Sequence, residues 1–281
     1  MIYVSTGFFR DRTAYQTSLF FIKNKINHIE LSSGKYSDNF HSELNALKKK
    51  INLRIHNYTP PPKIPFVLNL CSDDKYILRK TINHIKNGIV FAKKTNSKYF
   101  SFHAGFRFDP KISQLGRKFK KVKLISKKVA LKIFKSRVKS LNKFAKKNRI
   151  TLLIENNVFS KKTKKVFKEN PFLLTNSKDI ISFFNGLDKN IRLLLDVGHL
   201  KVSSFTEGFN LKSEHNNVLP YIAAYHLSEN NGKEDSNKLI NKNSWFLSFL
   251  KKRLDYYSLE VNEKNIMEIK NQILLLKKYL K

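Results

Sequence analysis

Short apolar runs recur along this chain, and six of them stop on a histidine or an acid: LRIH on His56, FSFH on His103, LLIE on Glu155, LLLD on Asp196, AAYH on His226 and YSLE on Glu260. His, Asp and Glu together make up only roughly one residue in ten, so the recurrence is a pattern and not an accident of composition. Each run has the length and β-branched or aromatic character of a buried strand. Strands are expected over residues 2–6, 28–32, 53–58, 99–103, 150–155, 191–196 and 221–228, with an eighth ending at 260–261. The stretch after residue 191 is the most telling, because Asp196 ends the apolar run and His199 follows across Gly198. A carboxylate and an imidazole therefore surface together.

Between the strands the apolar period changes to that of a helix. Helices are expected over 13–25, 41–51, 73–94 (capped by Ser72 or Asp73), 118–148, from Asn176 or Ser177 to Gly186, in part over 245–250, and over 265–280. The segment 118–148 carries Val122, Ile125, Val129, Ile133, Val138 and Leu141 as its apolar stripe, its many lysines forming a solvated face. Residues 156–171 look like a polar loop, and 206–220, polar and weakly helical, look like a candidate lid. Pro60, Pro61 and Pro62 follow the third strand and stiffen the loop beyond His56, while Gly105 would let backbone approach a ligand closely. Glu30 sits inside the second strand, as a residue facing the mouth or as a structural hydrogen-bond acceptor.

Strand and helix alternation of this kind implies a parallel sheet, and eight units imply closure. The expectation is an α/β fold, a single (β/α)8 TIM barrel occupying residues 1–281 as one domain. In such a barrel the strand C-termini form the active face, where all six polar ends would meet.

Composition narrows the picture. No apolar run approaches the roughly 20 residues needed to span a bilayer, and MIYVSTGFF enters a strand without the parts of a secretory signal. A cytoplasmic protein with no membrane partner is expected. One cysteine, Cys71, excludes a multi-thiolate zinc site and leaves His and carboxylate as ligands. The formal charge of +34 would attract polyanions. Lysine, however, outnumbers arginine by roughly four to one, whereas dedicated phosphate readers favour the planar guanidinium. The charge is more simply a compositional bias, with nucleic acid as the weaker alternative partner. Lys201, Arg107 and Lys233 lie just past strand ends, where each would be a solvated rim charge or receive a phosphate. Outer helices leave a homo-oligomer open.

Glu155, Asp196, His226 and Glu260 offer three carboxylates and one imidazole, a hard donor set suited to Mn, Mg or Co, with Zn possible. Three carboxylates in one mouth repel unless a cation or shared protons compensate them. His56, His103 and His199 would line the same pocket as substrate-binding residues or hold a second ion.

The succession LRIHNYTPPP, FSFHAG, LLIENN, LLLDVGHLKVS, YHLSENNGKEDSN and YSLEV resembles the xylose-isomerase-like TIM-barrel superfamily, which joins sugar isomerases and epimerases with metal-dependent apurinic endonucleases. The epimerase branch implies one divalent metal held by Glu155, Asp196, His226 and Glu260. It also implies that Glu155 and Glu260, on opposite sides of a small sugar substrate, move protons through a metal-stabilised enediolate. The endonuclease branch implies a three-metal cluster. His56 and His103 would join Glu155 there, and His199 and Asp235 would serve a third ion. That ion calls for a histidine two residues after Asp235, where this chain has Asn237. The departure favours the sugar isomerase or epimerase over the nuclease, with Asp235 left among the substrate-binding residues.

Overall fold

Eight parallel strands close on themselves in sequence order, β1 pairing with β8. The structure is a computed structural model and describes residues 1–114 and 119–280. The strands are β1 (Ile2–Ser5), β2 (His28–Leu31), β3 (Asn52–His56), β4 (Tyr99–His103), β5 (Thr151–Glu155), β6 (Ile191–Asp196), β7 (Ile222–Leu227) and β8 (Tyr257–Leu259). The helices are α1 (Ala14–Lys23), α2 (Phe40–Leu47), α3 (Lys75–Lys94), α4 (Lys127–Lys147), α5 (Lys161–Phe167), α6 (Ser177–Phe184), α7 (Val197–Glu207), α8 (Leu211–Val218) and α9 (Ile266–Tyr279). The (β/α)8 barrel expected from the alternation is the fold observed.

Side-chain parity decides what each strand contributes, because successive residues of a strand point to opposite faces. One parity, including Ile29, Ile55, Phe100, Ile154, Leu193, Leu195, Leu227 and Leu259, packs into the main core under the helices. The other turns inward. Tyr3, Leu153, Leu194, Ala224 and Tyr256 form a small separate plug in the barrel interior. Two residues further along the same parity come Glu155, Asp196, His226 and Ser258, so the polar strand ends sit on top of that plug. The register then sets neighbours: His103 lies beside Glu155, and Asp196 beside His226.

Several elements differ from the sequence expectation. The helix expected from residue 118 begins at Lys127, capped by Ser126; residue 118 itself lies outside the described residues. Residues just before the cap are drawn off by Arg107, whose carbonyl accepts from the Ile125 N–H (2.8 Å) while its Nε donates to the Ile125 carbonyl (2.7 Å). The expected loop 156–171 contains α5, started by the Ser160 cap and fastened by Phe167 among Phe108, Phe159 and Phe172. The candidate lid over 206–220 is not a loop. Gly208, at φ 80°, ends α7, and α8 follows with His215 buried and its Nε2 3.0 Å from the Tyr225 hydroxyl. Residues 245–250 form turns, not helix, and the cap of α3 is Asp74. β8 stops at Leu259, leaving Glu260 as the first residue beyond it.

Gly88 shows how tightly the outer layer closes. A Cβ there would lie 2.2 Å from Phe100 Cε2 and 2.6 Å from its Cζ. Alanine is the better helix former by about 1 kcal/mol, but forcing a methyl into a packed core costs about 1–3 kcal/mol. The clash should win. Gly88→Ala, at a net cost of about 1 kcal/mol, is expected to lower the melting temperature by about 2–4 °C in a chain of this size, and a melting curve at or above wild type would contradict this packing.

Candidate metal centre

Glu155 is the hub. It ends β5 fully buried, with Oε1 3.2 Å from His226 Nδ1 and 3.6 Å from His199 Nδ1. Its Oε2 lies 3.3 Å from His56 Nε2 and 3.4 Å from His103 Nδ1. Four imidazoles from β3, β4, β7 and the first turn of α7 thus converge on one carboxylate. His226 Nδ1 also lies 2.9 Å from Glu260 Oε2 and 4.0 Å from Asp196 Oδ2.

Local structure fixes each carboxylate. Asp196 is at once the last residue of β6 and the N-cap of α7, its Oδ1 accepting from the His199 N–H at 2.7 Å. This cap is why helix follows strand without a loop, and it brings His199 back over Asp196. Asn156 clamps the junction, accepting from the Asp196 N–H (2.7 Å) and donating to the Asp196 carbonyl (3.1 Å). Glu260 is the more open member, its side chain 15% exposed, with Ser5 Oγ 3.5 Å from its Oε1. Gly7 leaves room for it, since a Cβ there would stand 3.1 Å from Oε1.

The histidines are oriented from outside. His56 Nδ1 lies 2.9 Å from the Ser101 hydroxyl, which itself reaches the Ile55 carbonyl at 3.4 Å. His199 Nδ1 donates to the Asn156 carbonyl at 2.8 Å, and its Nε2 faces Asp235 Oδ2 at 3.1 Å. His226 Nε2 meets Glu30 Oε2 at 2.8 Å. In each of these three rings one nitrogen is tied to an acceptor and the other points at carboxylates, the arrangement that presents a lone pair to a metal. Glu155 Oε2, Asp196 Oδ2 and His103 Nδ1 are buried without hydrogen-bond partners. Orphaned donor atoms of this kind fit a cation, because an unpaired buried polar atom is otherwise costly. Glu155, Asp196, His226 and Glu260 each bring a ligand atom to within 4.8 Å of the others; so do His56, Glu155 and His226, and so do His103, Glu155 and His199.

Electrostatics follow from the crowding. Burial pushes Glu155 upward, but His103, His226 and His56 outweigh it and hold the carboxyl well below its usual range. Burial wins at Asp196, raising it to about 7. His199 and His226 resist burial and are raised well above the ordinary imidazole value, by Asp196 and Asp235 for the first and by Glu30, Glu260 and Glu155 for the second. His103 has fewer opposing charges, and burial lowers it to about 4. The apo site therefore neutralises its carboxylates with protons, which a divalent cation would replace.

All of the residues expected from the strand ends come together, His56, His103, His199 and Asp235 included. Gly105 does not face the ligand space: a Cβ there would meet Cys71 Sγ at 2.5 Å, so the glycine serves packing. Arg107 is no phosphate receiver, being buried with Nη1 on the Glu169 carboxylate (2.8 Å) and the Asn170 carbonyl (2.6 Å). Lys201 is likewise held by Glu229 and the Asn230 carbonyl, both at 2.6 Å. Asn237, in the left-handed region at φ 45°, donates to the Glu260 carbonyl at 3.1 Å. Two contributors are less legible in the sequence. Asn156 reads as loop polarity, and Glu30 admits two roles; its inward parity with Ser5 and Arg54 is the available signal.

The chain matches the family model described as xylose isomerase-like TIM barrel over residues 22–265. No curated protein matches the sequence. Among solved structures, it is similar to a D-tagatose 3-epimerase-like protein, with a TM-score of 0.74 and 17% identity over 99% of this chain and 96% of that one. It is also similar to D-psicose 3-epimerase from Clostridium cellulolyticum, solved with D-tagatose, with a TM-score of 0.67 and 12% identity over 99% and 98% of the two chains. A third is a Thermus thermophilus protein soaked with zinc chloride, with a TM-score of 0.63 and 15% identity over 99% and 97%. At such identities the likeness establishes the fold. Among the described residues no helix is long and apolar enough to cross a membrane.

Proposed function

Because this chain belongs to the xylose isomerase-like TIM barrel family, we propose that it is a metal-dependent isomerase or epimerase acting on a sugar, sugar phosphate or related hydroxy-carbonyl compound. One observation carries the proposal: Glu155, Asp196 and His226, from β5, β6 and β7, and Glu260, just past β8, bring ligand atoms within 4.8 Å of one another at the barrel mouth. These four would hold the ion, Mn, Mg or Co by the hardness of the set, with Zn open to the imidazole. When bound, the ion supplies Lewis acidity to a carbonyl oxygen and the hydroxyl beside it.

The protein's own groups do the proton work. Glu155 and Glu260 both reach His226 Nδ1, 3.2 Å and 2.9 Å away, and so stand beside one another at the mouth. One carboxylate removes the proton from the carbon next to the carbonyl, leaving an enediolate; the other returns a proton to the opposite face or to the neighbouring carbon. His56, His103, His199 and Asp235 line the space and hydrogen-bond hydroxyls. The test is turnover in D2O. With metal bound, deuterium should enter a ketose at the carbon beside its carbonyl. A metal-loaded protein that exchanges no carbon-bound proton in any sugar or sugar phosphate offered would refute the proposal.

A second reading, nicking of abasic DNA, is favoured by the second and third donor groups around Glu155. It requires more than one ion per chain. Asn237 opposes it, since its side chain is spent on tying the end of β8. Metal analysis returning one ion per chain, with intact abasic duplex after incubation, would remove it.

A further inference from the structure

Glu30, on β2, is not one of the four proposed ligands, yet it touches one of them. It is fully buried inside the barrel, and its Oε2 accepts from the Tyr256 hydroxyl and faces His226 Nε2 at 2.8 Å. A carboxylate in that position is expensive to bury and contributes nothing to the apolar plug beneath it. Something specific must depend on it. Its neighbours show what. Tyr256 cannot swing away, because its ring stacks on Tyr99 (5.8 Å, 30°), meets Tyr3 edge-on (5.5 Å) and has the Arg54 guanidinium 5.5 Å from its centroid. The plug therefore aims a hydroxyl at Glu30, and Glu30 in turn is aimed at the far side of His226.

Imidazole offers a metal one lone pair, and which nitrogen carries it depends on where the ring proton is held. His226 presents Nδ1 to Glu155, Glu260 and Asp196; a cation held there takes the Nδ1 lone pair and displaces any proton on it, so the proton the ring keeps must be on Nε2. We propose that Glu30, braced by Tyr256, is the positioning residue that holds the His226 proton on Nε2 and so commits Nδ1 to the metal. The device rests on the metal-centre reading above, while the hydrogen bond between Glu30 and the Nε2–H of His226 is present without an ion. His56 and His199 are oriented by the Ser101 hydroxyl and the Asn156 carbonyl. His199 also meets a carboxylate, Asp235, through Nε2, but His226 is the one imidazole of the four-ligand set, and Glu30 is the carboxylate behind it.

The experiment combines metal affinity with 15N-histidine spectra of wild type, Glu30→Leu, Glu30→Gln and Tyr256→Phe. In metal-free wild type, His226 should show a downfield, slowly exchanging Nε2–H. Glu30→Leu should lose that signal and bind Mn about 10- to 100-fold more weakly, the usual effect of deleting a partner behind a ligand. Glu30→Gln keeps an acceptor oxygen and should recover most of the affinity. Tyr256→Phe, which removes only the bracing hydroxyl and serves should Glu30→Leu fail to fold, should weaken Mn binding by about three-fold. An unchanged Nε2–H signal in Glu30→Leu would overturn the inference, as would Mn affinity within about two-fold of wild type in every variant that folds. Should wild type bind no divalent ion, the metal-centre reading falls, and the metal-free spectra still decide the role of Glu30.

Discussion

Glu155→Gln should abolish carbon–hydrogen exchange while leaving the barrel folded. A positioned acid or base contributes about 10²- to 10⁴-fold, and Glu155 is also the carboxylate on which His56, His103, His199 and His226 converge. The two losses compound, so kcat/KM should fall by at least about 10³-fold. Metal affinity should fall with it. Glu260→Gln separates the roles: that side chain is partly exposed at the rim, and its closest site contact is His226. Turnover should again collapse, with much more of the metal retained. The measurements are deuterium incorporation into substrate and metal content per chain. Exchange persisting in both variants would show that the protons move through other groups.

The second large effect is a metal-dependent gain in stability that grows with pH. At a free ion concentration about 100 times Kd, binding stabilises the fold by about 2.7 kcal/mol, or about 5–10 °C in melting temperature for a chain of this size. Excess chelator should reverse it. The pH dependence follows from the protons that the ion displaces. Asp196 has a folded value of about 7 against 3.8 unperturbed, so its contribution to apo stability is full below pH 3.8 and lost as pH rises through about 7. His199 and His226 are raised as well. Their contribution is full below 6.5 and disappears only as pH passes their elevated folded values. Glu30 has the opposite sign, lowered from 4.5 to about 2, so its contribution holds above 4.5 and is lost as pH falls toward 2. Apo stability should therefore decline from mildly acid to alkaline pH, while the increment from metal rises over the same interval because fewer protons compete. Melting curves at pH 6, 7 and 8, with and without Mn, check both slopes. An increment independent of pH would mean that the ion does not displace these protons.

Much of the site was legible before the fold. Runs such as LLIE and AAYH announce strands by their apolar residues and the candidate site by their last one, because in a parallel barrel every strand ends at the same face. Glu155 and His226 could be placed together although 71 residues separate them. Helix boundaries were less legible where a single tertiary contact competes with local periodicity. Ile125 continues the apolar stripe of α4, yet its backbone pairs with Arg107. The polar, weakly helical stretch around His215 reads as a candidate lid, yet one buried imidazole on Tyr225 makes it a packed helix.

What the sequence determined alone is therefore the barrel, the face on which the candidate site lies and the donor types that gather there, since strand parity and alternation are local properties repeated along the chain. What the tertiary structure alone decided is which nitrogen of each histidine looks inward, that burial separates Asp196 from Glu155 in proton affinity, and that Glu30 stands behind His226. Those depend on distances of about 3 Å between residues far apart in the chain, and no pattern of neighbours along a strand encodes them.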